Sequence, residues 1–224
     1  MPPPTPAATH VKRNPHAPPG FFAVEAAGLA WLAEAEPDGG PRVVRALEVT
    51  DHAITLERVE TTRATTDEQR QEFGRGLARL HRRGAAWFGS PPATWGGNGF
   101  IGPLPLPHVP GADHAVAGHW GAFYSRFRLE PFLRTTERSG AVDAACARAV
   151  RAVMARLEAG DEALTGPAEP PARLHGDLWS GNVLWTASGA VLIDPAAHGG
   201  HRETDLAMLA LFGGKSSCGD DGPR

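Results

Sequence analysis

The run Leu174-His175-Gly176-Asp177-Leu178-Trp179-Ser180-Gly181-Asn182-Val183-Leu184-Trp185, followed by Val191-Leu192-Ile193-Asp194-Pro195, constrains the fold more than any other stretch of this chain. It sets a carboxylate, an amide five residues on, and a second carboxylate twelve beyond that. Two short apolar runs, Val183 to Trp185 and Ala190 to Ile193, bracket a Thr-Ala-Ser-Gly turn. The stretch predicts a loop, a β-hairpin and an acid at the hairpin's far end. Polar residues at hairpin turns account for any one of these side chains. They do not account for the joint spacing of His175, Asp177, Asn182 and Asp194.

Transfer of a phosphoryl group from a nucleotide needs such a set. One Asp orients the acceptor hydroxyl and takes its proton, while an Asn and another Asp hold the divalent ions that bridge the phosphates. In that reading Asp177 is the base, and Asn182 and Asp194 are the metal ligands. The H-x-D-L-x-x-x-N spacing resembles the catalytic loop of protein kinases, with Gly176 where they carry Arg.

The surrounding text narrows the resemblance. Leu174 to Asn182 with Trp179 inside, Asn98-Gly99-Phe100-Ile101-Gly102-Pro103-Leu104-Pro105, Trp120-Gly121-Ala122-Phe123-Tyr124, Arg128-Leu129-Glu130-Pro131, and Asp194-Pro195-Ala196 leading to Gly200-His201-Arg202-Glu203-Thr204-Asp205-Leu206-Ala207-Met208 occur in this order. Together they resemble the fructosamine kinase (ketosamine-3-kinase) family, from about Val11 to Gly214. The resemblance implies an ATP- and Mg2+-dependent kinase acting on the sugar of ketoamine adducts (fructosamines or ribulosamines) of amines and proteins, in a deglycation role. It also implies the kinase-like fold shared with aminoglycoside phosphotransferases. A kinase of another small alcohol is the neighbouring reading.

Composition is compatible with that reading. The chain has 224 residues, 42% of them apolar, enough for a real core. A formal net charge of −3 and the lack of a basic block argue against a general nucleic-acid or anionic-membrane binder. Two cysteines make no disulfide framework, so a reducing cytoplasm is the expected location. No stretch approaches 18 uninterrupted apolar residues.

Along the chain, Met1 to Thr9 is Pro- and Ala-rich and expected to be disordered at its start. A helix opens at Phe21, with Phe22, Ala26, Leu29 and Leu32 on one side. Val43-Val44 to Val49 and His52 to Leu56 read as two strands. Thr66 to Gln69 is a capping box opening a helix that buries Phe73, Leu77 and Leu80. Gly89 to Gly111 reads as a loop, and Trp120, Phe123 and Phe127 mark another helix. Val142, Cys146, Val150, Val153 and Leu157 form a helical stripe expected in the core. The fold class is α+β, a protein-kinase-like two-lobed fold. Its small lobe, over 1–59, is incomplete; a mainly helical large lobe, over 60–224, carries the catalytic hairpin and ends in a disordered tail, 215–224.

Further roles come from the resemblance. Lys12, the only Lys before Lys215, would contact the nucleotide phosphates, and Glu25 in the first helix would steady it. Thr55 to Glu60 matches the strand entering the hinge between lobes, where backbone groups near Glu57 and Val59 would read adenine. His175 would brace the loop. Asp205 would accept catalytic-loop amides, although an acid opening a helix is favourable without any function. Trp179 either walls a sugar pocket or packs beneath the loop. Arg126 and Arg128 read as solvated helix charges. Family members carry a Gly-rich phosphate-covering hairpin before the Lys and further helices after Gly214. Neither is recognisable here, so a fragment, a shifted reading frame or a degenerate, inactive copy is the expectation for the ends.

Overall fold

The structure, a computed structural model, describes residues 8–212. The expected disordered start and the 215–224 tail lie outside that range, except that Thr9 already opens a strand. In chain order the elements are β1 (Thr9–Arg13), α1 (Phe21–Ala33), β2 (Arg42–Val43), β3 (Ala46–Thr50), β4 (Ala53–Glu57), α2 (Asp67–Arg82), β5 (Gly99–Ile101) and β6 (Leu104–Leu106). There follow α3 (Trp120–Tyr124), a π-turn (Ser125–Leu129), α4 (Glu130–Arg138), α5 (Ala144–Glu158), α6 (Glu162–Thr165), β7 (Ala172–Leu174), β8 (Val183–Thr186), β9 (Gly189–Leu192), β10 (His198–Gly200) and α7 (Glu203–Phe212).

The first sheet is antiparallel, in the order β1-β4-β3. Ile54 and Leu56 point into the core while Thr55 and Glu57 face outward, the period-two alternation of a half-buried strand. Register pairs Lys12 with Ile54 and Thr9 with Glu57. α1 lies beside this sheet and buries Phe22, Glu25, Leu29 and Leu32 on one stripe. One hydrophobic cluster joins Phe22, Leu29 and Leu32 to Leu178, Val183 and Leu192 of the candidate catalytic loop and the hairpin. The ionic site described below is therefore built on a shared core.

The predicted hairpin forms as β8 and β9, with Val183 opposite Leu192 and Thr186 opposite Gly189. α2 begins with the expected capping box. Thr66 Oγ1 accepts the Gln69 N–H and Gln69 Oε1 accepts the Thr66 N–H. Leu77 and Leu80 are buried, and Phe73 half-buried against Trp185.

Three local expectations need correction. Val43 to Val49 is not one strand. Val43 and Val44 are both buried, which alternation in a single sheet does not allow, and β2 leaves to pair in parallel with β9. The Gly89–Gly111 segment is not loop throughout, because Gly99 to Leu106 folds as the β5–β6 hairpin. The stripe on α5 is not core along its length. Leu157 is buried, but Val153 is 42% exposed and Cys146 is exposed. Periodicity identifies a helix face without saying what covers it.

α1 meets the hairpin's exit segment through Gly28, where a Cβ would stand 3.1 Å from Ala197 Cβ and 3.3 Å from Pro195 Cγ. Gly28→Leu should force α1 away from that segment and cost about 1–3 kcal/mol by overpacking. Urea denaturation should show a lowered midpoint, and an unchanged midpoint would mean the contact does not constrain the helix.

Candidate active site

Lys12 stands on β1 and Glu25 one turn into α1, on the same buried stripe as Phe22 and Leu29. Asp194 follows β9. The Lys12 Nζ donates to Glu25 Oε1 and to Asp194 Oδ1, both at 2.6 Å. Burial penalises the Lys12 charge, but Glu25 and Asp194 outweigh it and raise its pKa. Burial also raises Glu25, with Lys12 opposing. Asp194 has φ +55°, the only non-glycine with positive φ among the described residues. Asp tolerates that left-handed conformation better than most side chains, and Pro195 follows at once.

The candidate catalytic loop joins β7 to β8. Asn182 Nδ2 donates to Asp177 O at 2.8 Å and to Asp177 Oδ2 at 3.0 Å, with a longer contact to Asp194 O at 3.4 Å. Its amide nitrogen faces the loop, which leaves Oδ1 as the atom able to meet a cation. Asp194 Oδ1 is taken by Lys12, while Oδ2 has no hydrogen bond among the described residues. Two hard oxygens with room for water and phosphate ligands suit Mg2+, which needs few protein donors. Burial, helped by neighbouring Asp194 and Asp205, raises Asp177 against the opposing pull of His175 and Asn182.

The loop is braced from beneath. His175 is fully buried, its pKa lowered by burial, and Nε2 lies 2.9 Å from Ile193 O. Asp205, in the first turn of α7, accepts the His175 N–H at 2.9 Å and the Gly176 N–H at 3.0 Å. Gly176 has φ +83°, and a Cβ there would clash with the Ala196 carbonyl oxygen. That explains glycine where protein kinases carry Arg.

A cleft of about 320 Å³ opens over this network, lined by Lys12, Glu25, Asp177 and Asp194 and roofed by Phe21, Phe22 and Phe100. The Phe21 and Phe100 rings lie 5.2 Å apart, so the β5–β6 hairpin forms one wall. Trp179 is outside this lining. It is 44% exposed, with its ring over Gly181, rather than packed beneath the loop. Glu57 and Val59 are also outside it. Glu57 donates its N–H to Arg45 O, its carboxylate pairs with Arg42, and the Val59 side chain joins the core.

Two residues escaped sequence reasoning. His81 on α2 is buried and places Nε2 3.0 Å from Asp205 Oδ2, so α2 and α7 brace the loop together. The available signal was a polar residue four after Leu77 on the buried face. Arg128, read as a solvated charge, is 8% exposed. Arg126 is the solvated one, paired with Glu158 at 2.7 Å. Asp205→Ala strands three buried donors and should cost on the order of 3 kcal/mol or more. A urea midpoint matching that of the parent chain would show that the brace is not needed.

A profile of the fructosamine kinase family matches residues 6–218. The "probable ketoamine kinase" of Thermus thermophilus is 36% identical over 204 residues, which are 91% of this chain and 66% of that protein. Mouse ketosamine-3-kinase is 37% identical over 100 residues, 44% of this chain and 31% of that one. The crystal structure of a "putative fructosamine-3-kinase" from Thermobifida fusca superposes with a TM-score of 0.77 at 45% identity, over 91% of this chain and 65% of its own. The chain thus spans about two-thirds or less of the length of these relatives. With Lys12, Asp177 and Asp194 lining one cleft, Asn182 bonded to Asp177 beside it, and a family profile that takes in every described residue, the chain belongs to the fructosamine kinase family.

Proposed function

We propose that the chain is an ATP-dependent phosphotransferase that phosphorylates a sugar hydroxyl of ketoamine adducts, fructosamines or ribulosamines, in a deglycation role. The observation that carries this reading is the network joining Lys12, Asp194, Asn182 and Asp177, brought together from positions up to 182 residues apart. No single hairpin or helix requires that convergence.

In this reading residues 1–59 form a nucleotide-binding lobe and 60–224 a catalytic lobe, with the triphosphate between them. Lys12, released from Asp194 or shared with it, neutralises the phosphates, and Glu25 fixes its direction. Adenine lies at the end of β4, near Glu57 and Val59. The register supports that position, since Glu57 pairs with Thr9 on the strand that carries Lys12. Asn182 Oδ1 and Asp194 would hold Mg2+, which would supply neutralisation of the phosphate charge.

Asp177 orients the sugar hydroxyl for in-line attack and accepts its proton. Asn182 holds that carboxylate through Oδ2, so its remaining lone pairs are directed to the acceptor. Rate then comes mainly from positioning and from fixed charges that need no reorganisation during the step. In this reading Trp179, exposed at the loop's edge outside the cleft lining, covers the sugar. The relatives' names carry "ketoamine" and "ketosamine", which favours these acceptors over aminoglycosides or choline-like alcohols.

Asp177→Asn should reduce Mg-ATP-dependent phosphorylation of a fructosyl-amine by about 10²–10⁴-fold, while ATP affinity stays within a few-fold. Turnover at the parent rate would remove Asp177 as base. Because the ionised form is the active one and its pKa is raised, the acid limb of kcat/KM should fall at a pH above the ordinary Asp value of 3.8. A pH profile flat down to pH 4 would contradict this.

A further inference from the structure

Beside the catalytic cleft lies a second pocket of about 400 Å³, mostly apolar, with Leu106, Phe123, Leu129, Phe132 and Met208 in its walls. The two spaces adjoin. Ile101 lines both, and Gly176, next to Asp177, lines the second.

One charged group stands in this apolar wall. Arg128, 92% buried by its 8% exposure, has its guanidinium 4.6 Å from the Phe123 ring centre. Nη1 donates to Pro107 O at 2.7 Å and Phe127 O at 2.9 Å. Nε and Nη2 have no partner among the described residues. The titratable neighbours do not compensate. Burial pushes Arg128 down to about 9, so it keeps its charge at neutral pH. Burial pushes His108 down to about 4 and His198 well below its ordinary value, and Arg128 lowers both further. A buried guanidinium with two idle donors is expensive unless an anion completes it. The planar pair Nε and Nη2 is the edge that a carboxylate meets in bidentate fashion.

We propose that this pocket receives the amine half of the ketoamine, an amino acid with an apolar side chain whose free carboxylate pairs with Arg128. The inference rests on the kinase reading only for the identity of the sugar half. A ketoamine with its hydroxyl at Asp177 passes Gly176 and Ile101, and its amine substituent enters the apolar space. The volume suits a branched or aromatic side chain. Nε and Nη2 are sealed from water, so the carboxylate reaches them as wall side chains change rotamer, a movement common at binding sites.

The test is calorimetric titration of the full chain with two adducts differing by one group, fructosyl-phenylalanine and fructosyl-phenethylamine. The carboxylate-bearing adduct should bind about tenfold tighter, and the difference should collapse in Arg128→Met. Equal affinities on the parent chain, or weaker binding of the carboxylate-bearing adduct, would overturn the proposal without recourse to any variant. Phosphorylation of the same two adducts is followed separately. A tenfold binding difference with no turnover would leave the pocket standing and fail the kinase reading. Turnover with equal affinities would do the reverse.

Discussion

The Lys12 ammonium, held at 2.6 Å from both Glu25 and Asp194, is the constraint on which the site depends. It links a strand, a helix and the exit of the hairpin; the helix and the hairpin share one apolar cluster, and β1 is tied to that cluster through its partner β4, which supplies Ile54 and Leu56. Hydrophobic burial sets the distance between them, and the ion pairs set their alignment. Glu25 occupies a place on the α1 stripe that an apolar residue would fill more cheaply, so the helix carries a buried acid for the sake of the lysine. Removing Lys12 would leave that acid uncompensated, a change of roughly 3 kcal/mol where a buried pair is broken.

A second network keeps the acceptor side still. Asp205 receives two loop amides and the His81 ring, while His175 reaches across to the Ile193 carbonyl. Each member of the buried set is satisfied, as a buried polar network must be if it is to stiffen a site rather than weaken it. The left-handed backbone at Asp194 and the positive φ of Gly176 fit the same pattern. Local conformations with a cost are retained where they aim a functional group.

Much of this was legible in the sequence because the signals are local. The hairpin, the capping box at Thr66 and the buried stripe of α1 each follow from short-range spacing, and the structure holds all three. The candidate residues Asp177, Asn182 and Asp194 could be named because their spacing is tied to a chemistry, whereas Lys12 and Glu25 came from the family resemblance. Tertiary partnership was not legible. The β2 segment leaves its neighbour for β9, where Arg42 pairs with Val191, 149 residues later, and no local pattern announces that choice. Cys146 lies on an apolar helix face that the described residues do not cover, and Arg128 is buried because its guanidinium turns in against the Phe123 ring and the Pro107 carbonyl. His81 looked like one more polar residue near a helix end until Asp205 was opposite it.

Binding of Mg-ATP tests the central claim most directly. The melting temperature of the full chain should rise in Mg-ATP, by an amount equivalent to about 2.7 kcal/mol at a hundred times the dissociation constant. The rise should be much smaller for Lys12→Met at the same nucleotide concentration. A parent chain whose melting temperature ignores Mg-ATP, or a Lys12→Met chain that responds equally, would contradict the account.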